Sequence, residues 1–105
     1  MKLPKTIRVA CYDYAVEKMD KHTAIEDRKY GSCSSIKHII SIDTEIDDMR
    51  VVNTLIHEVG HAIYDAYEIQ EGDHEERIIS TMATGWTQVF RDSPELLEFI
   101  REGLA

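Results

Sequence analysis

The segment that most restricts this chain is Leu55-Ile56-His57-Glu58-Val59-Gly60-His61-Ala62-Ile63. Its polar groups share a surface only if it is helical. At about 100° per residue, Val51, Val52, Leu55, Ile56, Val59, Ala62, Ile63 and Ala66 fall within an arc of roughly 140°. Arg50, Asn53, Thr54, His57, His61 and Tyr64 take the opposite side. The pattern predicts a helix over residues 46–67, and Asp43-Thr44-Glu45-Ile46-Asp47-Asp48 supplies N-cap candidates and acids for its first turn. His57 and His61 then stand one above the other, so both imidazoles reach one metal ion. They face away from the apolar stripe, into a cleft between this helix and another element. Glu58 is offset around the helix and addresses a water held by that metal.

A catalytic zinc commonly has three protein ligands and keeps a fourth position for water. A histidine in the pattern H-E-x-x-H-x-x-G-x-x-H is excluded, because Tyr64 and Tyr67 occupy those places. A carboxylate from the next helix fits better. That helix runs from Glu75 to Arg91, with Ile78, Ile79, Met82, Ala83, Trp86, Val89 and Phe90 on one face. An acidic connection over residues 68–76, broken by Gly72, lets the chain turn back across the first helix. Glu75 projects near the middle of the apolar face, where a metal would satisfy a carboxylate that is otherwise costly to bury. Glu76 lies at the edge of that face, with the small Ala83 two turns further on to allow close approach of the helices. The spacing favours Glu76 as third ligand, with Glu75 as the alternative. The expected chemistry is hydrolysis of a peptide bond, Glu58 taking the proton of a zinc-activated water and passing it to the leaving amine. Tyr30, Tyr64, His74 and Arg77 are the candidates for an oxyanion donor.

Ahead of the motif, Ile7, Val9 and Cys11 alternate within a strand over residues 6–16, kinked near Asp13. Residues 17–29 fit a loop or a short helix equally, and residues 30–35 have turn composition. A second strand, residues 36–43, sets Ile36, His38, Ile40 and Ile42 on one face. Its edge along residues 36–42 is either an ordinary sheet edge or the place where an extended peptide substrate adds as a strand. Ser93-Pro94 ends the glutamate-bearing helix and starts a short C-terminal one, packed through Leu96, Leu97 and Ile100. Strands first and helices after give an α+β class, with an antiparallel or mixed sheet.

Composition removes several alternatives. At 105 residues one domain over residues 1–105 is expected. A net charge of −8 argues against nucleic acid as a partner, since phosphate binding is built from Lys and Arg. No apolar run approaches the ~18 residues of a membrane span, and Met1-Lys2-Leu3-Pro4-Lys5 leads into no signal-like apolar stretch. Cys11 and Cys33 form no C-x-x-C and are expected as free thiols in a reducing, cytoplasmic setting. Cys33 is expected to be structural rather than a fourth ligand that silences the metal. His22 and His74 read as surface residues, His38 as a sheet-face residue and Trp86 as core.

Three stretches together carry a resemblance: Thr54-Leu-Ile-His-Glu-Val-Gly-His-Ala-Ile, then Glu75-Glu76-Arg-Ile-Ile-Ser-Thr-Met-Ala-Thr-Gly, then Val89-Phe-Arg-Asp-Ser-Pro-Glu-Leu. They look like the small phage and prophage zinc metallopeptidases, which are compact and gluzincin-like. More distantly they are similar to the metallopeptidases that cleave phage repressors and stress regulators. The likeness covers most of residues 36–100. It implies a small zincin-like domain, with zinc held by His57, His61 and a glutamate of the second helix, and Glu58 as general base. It also implies a phage or prophage protein in a bacterial cytoplasm, and no particular substrate. A different class competes with this: a zinc-containing regulatory or binding protein with little hydrolysis of its own. A purely structural zinc is least expected, because such sites usually fill the fourth position with Cys or His.

Overall fold

The structure is a computed structural model; it describes residues 2–68, 74–92, 94, 97, 98, 101, 102 and 105, without the side chains of Gly85 and Val89. The chain forms an α+β domain in the order β1 (Thr6–Val9), β2 (Tyr12–Lys18), α1 (Lys21–Asp27), β3 (Gly31–Ser34), β4 (Ile39–Ile42), α2 (Asp48–Ala66) and α3 (Glu75–Asp92). The strands make one mixed sheet ordered β1-β2-β4-β3. β1 and β2 pair antiparallel, β2 and β4 parallel, and β3 and β4 antiparallel.

Each expected strand becomes part of a hairpin. The strand over residues 6–16 is divided by a turn at Ala10-Cys11, and Val9 pairs with Tyr12. Ala10 has φ 55, a conformation for which such a turn normally recruits glycine. With alanine there, alternation ran across the turn unmarked, and Cys11 is exposed rather than on the inner face. Residues 30–35 hold a strand, β3, where a turn was expected. The turn lies later, over residues 35–38, where the Lys37 amide donates to Ser34 Oγ at 3.1 Å and His38 takes φ 56. Ile36 at its tip is 92% exposed, so Ile36 and His38 do not continue the inward face of Ile40 and Ile42. The His38 ring instead rests 4.7 Å from Tyr12 and 5.2 Å from Tyr14, centre to centre.

β4 has neighbours on both sides. Residues 39–42 therefore offer no edge to a peptide, and the edge beside the motif helix belongs to β3. The undecided stretch 17–29 finishes β2 and forms α1, whose N-cap Asp20 accepts from the Thr23 amide. Asp43 is buried and caps no helix. It accepts from Lys21 Nζ at 2.9 Å and from the Glu45 amide at 3.0 Å, tying α1 to the end of β4.

α2 starts at the N-cap Asp47, which accepts from the Arg50 amide at 3.0 Å. It packs on the sheet through Val51, Leu55, Val59, Ala62 and Ala66, against Val9, Tyr14, Ile40 and Ile42. The buried side is centred closer to Glu58 than the apolar pattern implied. Ile63, in the expected arc, is exposed, whereas Glu58 is buried. α3 lies on α2, with Ile79, Ala83 and Thr87 buried. Ile78, Met82 and Trp86, expected on the packed face, form a partly exposed ridge beside it. Of the expected C-terminal helix, Pro94, Leu97, Glu98, Arg101 and Glu102 are helical, while Leu96 and Ile100 lie outside the described residues. Among the described residues no helix is long and apolar enough to cross a membrane.

Candidate metal centre

Two helices and one strand edge build the site. His57 and His61 project from successive turns of α2 toward α3, and their Nε2 atoms come within 3.2 Å of each other. α3 enters the site at its first turn. Glu76 Oε1 lies 2.8 Å from His57 Nε2, and Glu76 Oε2 lies 2.8 Å from His61 Nε2. One carboxylate thus spans both imidazoles, and His57, His61 and Glu76 form a group that could hold a metal ion. Exposed acidic groups are common without one, and Glu76 is 67% exposed in its side chain. The convergence of all three residues on one point carries more weight than the acid alone.

Glu75 takes a different position from its neighbour. Its Oε2 lies 3.8 Å from His61 Nδ1, behind the imidazole. Ser80 Oγ, one turn beyond Glu76, lies 3.4 Å from His57 Nδ1. Each histidine therefore has an α3 side chain near the nitrogen that points away from the group. Such outer partners fix ring orientation and tautomer in metal sites. Nothing in the sequence pattern singled out Ser80; its i+4 position after Glu76 was the available signal.

The approach of α3 to α2 depends on Gly60. A Cβ there would sit 2.9 Å from Ile79 Cγ2, closer than real contacts allow. Further along, Asn53 Nδ2 donates to Thr84 Oγ1 at 3.3 Å, joining the exposed sides of the two helices.

Glu58 points to the other side of the site, under β3, and is 7% exposed. Burial raises its carboxyl to about 7; Glu76 adds to the rise, and His61 and Lys29 oppose it. The strand above it begins at Gly31, where a Cβ would lie 2.6 Å from Thr54 Cγ2 and 3.1 Å from Glu58 Oε2. Only a residue without a side chain lets β3 pass so close to this carboxylate. Gly31 was read as a turn residue; its role is close approach.

These elements enclose a cleft of about 910 Å³, lined by His57, His61 and Glu76, by Glu58 and by the β3 residues Gly31, Ser32 and Cys33. Cys33 is half-buried, and burial together with the nearby Glu58 pushes its thiol up to about 11. It lies outside the group formed by His57, His61 and Glu76. Of the four candidate oxyanion donors, Tyr30 and Tyr64 line the cleft, whereas His74 and Arg77 are exposed residues that do not.

Compared with known protein families, curated proteins and solved structures, the chain matches none. What the site can do therefore rests on its own geometry.

Proposed function

We propose that this protein is a zinc-dependent metallopeptidase of minimal, zincin-like type, with His57, His61 and Glu76 as ligands and Glu58 as general base. The observation that carries the proposal is the single Glu76 carboxylate meeting the Nε2 atoms of both histidines. The donor set fits zinc: ligands about 2.0–2.1 Å from a tetrahedral ion stand roughly 3.3 Å apart. The two Nε2 atoms, 3.2 Å apart, are close to that value, and each Glu76 oxygen comes within 2.8 Å of one of them. Two nitrogens and one carboxylate leave a position open, as catalytic sites do and structural ones do not. Bound there, zinc would supply Lewis acidity near neutral pH, acidifying a water and polarising a carbonyl.

The chain's own residues do the rest. Glu58 is buried and lines the cleft beside His57 and His61, a position that suits a general base that must also act as an acid. Its carboxylate takes a proton from the attacking water and gives it to the departing amine nitrogen as the C–N bond breaks. The β3 edge supplies backbone groups on which an extended substrate would add as a strand, which moves the expected substrate edge from residues 36–42 to 31–34.

The test uses zinc-loaded protein, a diverse peptide mixture and mass spectrometry to find cleaved bonds. Wild type should cut peptides, and Glu58→Gln should retain stoichiometric zinc while losing cleavage by at least about a hundredfold. Cleavage that survives in Glu58→Gln removes the assigned base. Absence of cleavage in zinc-loaded wild type turns the site into one for binding or regulation.

A further inference from the structure

The cleft over the metal group is charged unevenly along its length. Among the described lining residues, Lys29 and Arg50 stand at the end where α2 begins, and Asp65 and Glu75 at the end where α2 finishes. His57 and His61 lie between them. Arg50 and Asp65 are fifteen residues apart on one helix, which is about 22 Å, or six to seven residues of extended peptide. The metal group therefore divides the groove into a cationic arm and an acidic arm.

The cationic arm is built. The Arg50 guanidinium lies 5.8 Å from the centre of the Tyr30 ring and donates to Tyr30 Oη at 3.3 Å. Asp47, 3.3 Å from Arg50 Nε, offsets part of its charge. Lys29 and Arg50 are the two Lys or Arg side chains among the described lining residues, in a chain whose net charge is −8.

Direction follows from β3. Tyr30, just before the strand, meets Arg50, and Gly31, its first residue, sits against Thr54 and Glu58 further along α2. The strand thus runs the same way as α2, from the cationic arm to the acidic one. A peptide adding antiparallel, the slightly more stable pairing, has its N-terminal part at Asp65 and Glu75 and its C-terminal part at Lys29 and Arg50.

We propose that the cleft selects extended peptides by charge order, taking basic side chains before the bond held at the metal group and acidic side chains after it. The position of that bond rests on the metallopeptidase reading; the charge order itself concerns binding alone.

Two peptides of identical composition, acetylated and amidated so that only side chains carry charge, provide the test. One has two lysines before and two glutamates after a central apolar pair, and the other has the blocks exchanged. Binding is measured by fluorescence anisotropy on zinc-loaded Glu58→Gln protein, and cleavage by mass spectrometry on zinc-loaded wild type. The lysine-first peptide should bind about tenfold tighter at low salt, as several rim pairs worth about a factor of two each would give. The preference should fall to about twofold at high salt. Arg50→Glu, on an exposed position three residues after the N-cap, should erase it. Equal affinities, a preference for the glutamate-first peptide, no measurable binding of either, or an Arg50→Glu protein that keeps the preference would each overturn the charge order. Ordered binding without cleavage would sink the peptidase reading and leave the charge order standing, whereas equal binding with cleavage of both would do the reverse.

Discussion

Replacing Glu58 by glutamine isolates the energetic consequence of placing a carboxylate under β3. In the metal-free protein this group holds its proton to about pH 7, against an ordinary value of 4.5. The unfolded chain releases that proton near its ordinary value. Between the two, unfolding releases a proton, so raising the pH favours the unfolded state. The stability associated with protonated Glu58 is fully present below about pH 4.5 and is lost as pH rises through about 7. The difference of roughly 2.5 pH units corresponds to about 3 kcal/mol at ~1.4 kcal/mol per unit. Screening through the open cleft brings the expected value to about 2 kcal/mol. Urea unfolding in the presence of a chelator, at pH values from 4.5 to 8.5, measures it. The wild type should lose about 2 kcal/mol more than Glu58→Gln across that range, and the two should differ least at the acid end. Parallel stability profiles for the two proteins would refute the burial of a carboxylate at this position.

Further predictions concern the residues that shape the site. Gly31→Ala should destabilise the protein by about 1–3 kcal/mol through overpacking, and Thr54→Ser, which removes the nearer clash at Cγ2, should recover part of that loss in thermal or urea unfolding. An unchanged stability in Gly31→Ala would mean that β3 does not press on Glu58 and Thr54. Glu76→Gln should weaken zinc binding in calorimetric titration by more than about a hundredfold, and Glu75→Gln by about tenfold, the scale of an outer partner; the opposite ranking would exchange their roles. Tyr14 is fully buried and, among the described residues, its hydroxyl has no hydrogen-bond partner, so Tyr14→Phe should leave unfolding free energy unchanged or raise it by up to about 1 kcal/mol. A loss of that size would reveal a partner for the hydroxyl.

The helices that carry the site were legible because their signals are periodic and local. Eight apolar positions recur on α2, and the two glutamates fall in the first turn of α3. The hairpins were hidden for a local reason as well: Ala10 and His38 take positive φ without being glycine, so alternation seemed to continue through both turns. The helical wheel could not reveal that the buried side of α2 includes Glu58. That depends on Gly31 admitting β3 at close range, a contact between residues far apart in the chain. Lys29 was silent for the same reason, while Arg50 stood on the polar side of α2 without a role and Ser80 was marked only by its i+4 spacing from Glu76. Their significance comes from what tertiary packing sets opposite them.

Zinc-edge X-ray absorption on the zinc-loaded protein examines the proposed centre most directly. With one zinc per chain, the first shell should contain two imidazole nitrogens and carboxylate or water oxygen at about 2.0–2.2 Å, with no sulfur at about 2.3 Å. His57→Ala and Glu76→Ala should each alter that shell. A sulfur contribution from Cys33, or a protein that retains no stoichiometric zinc, would contradict a centre built from His57, His61 and Glu76.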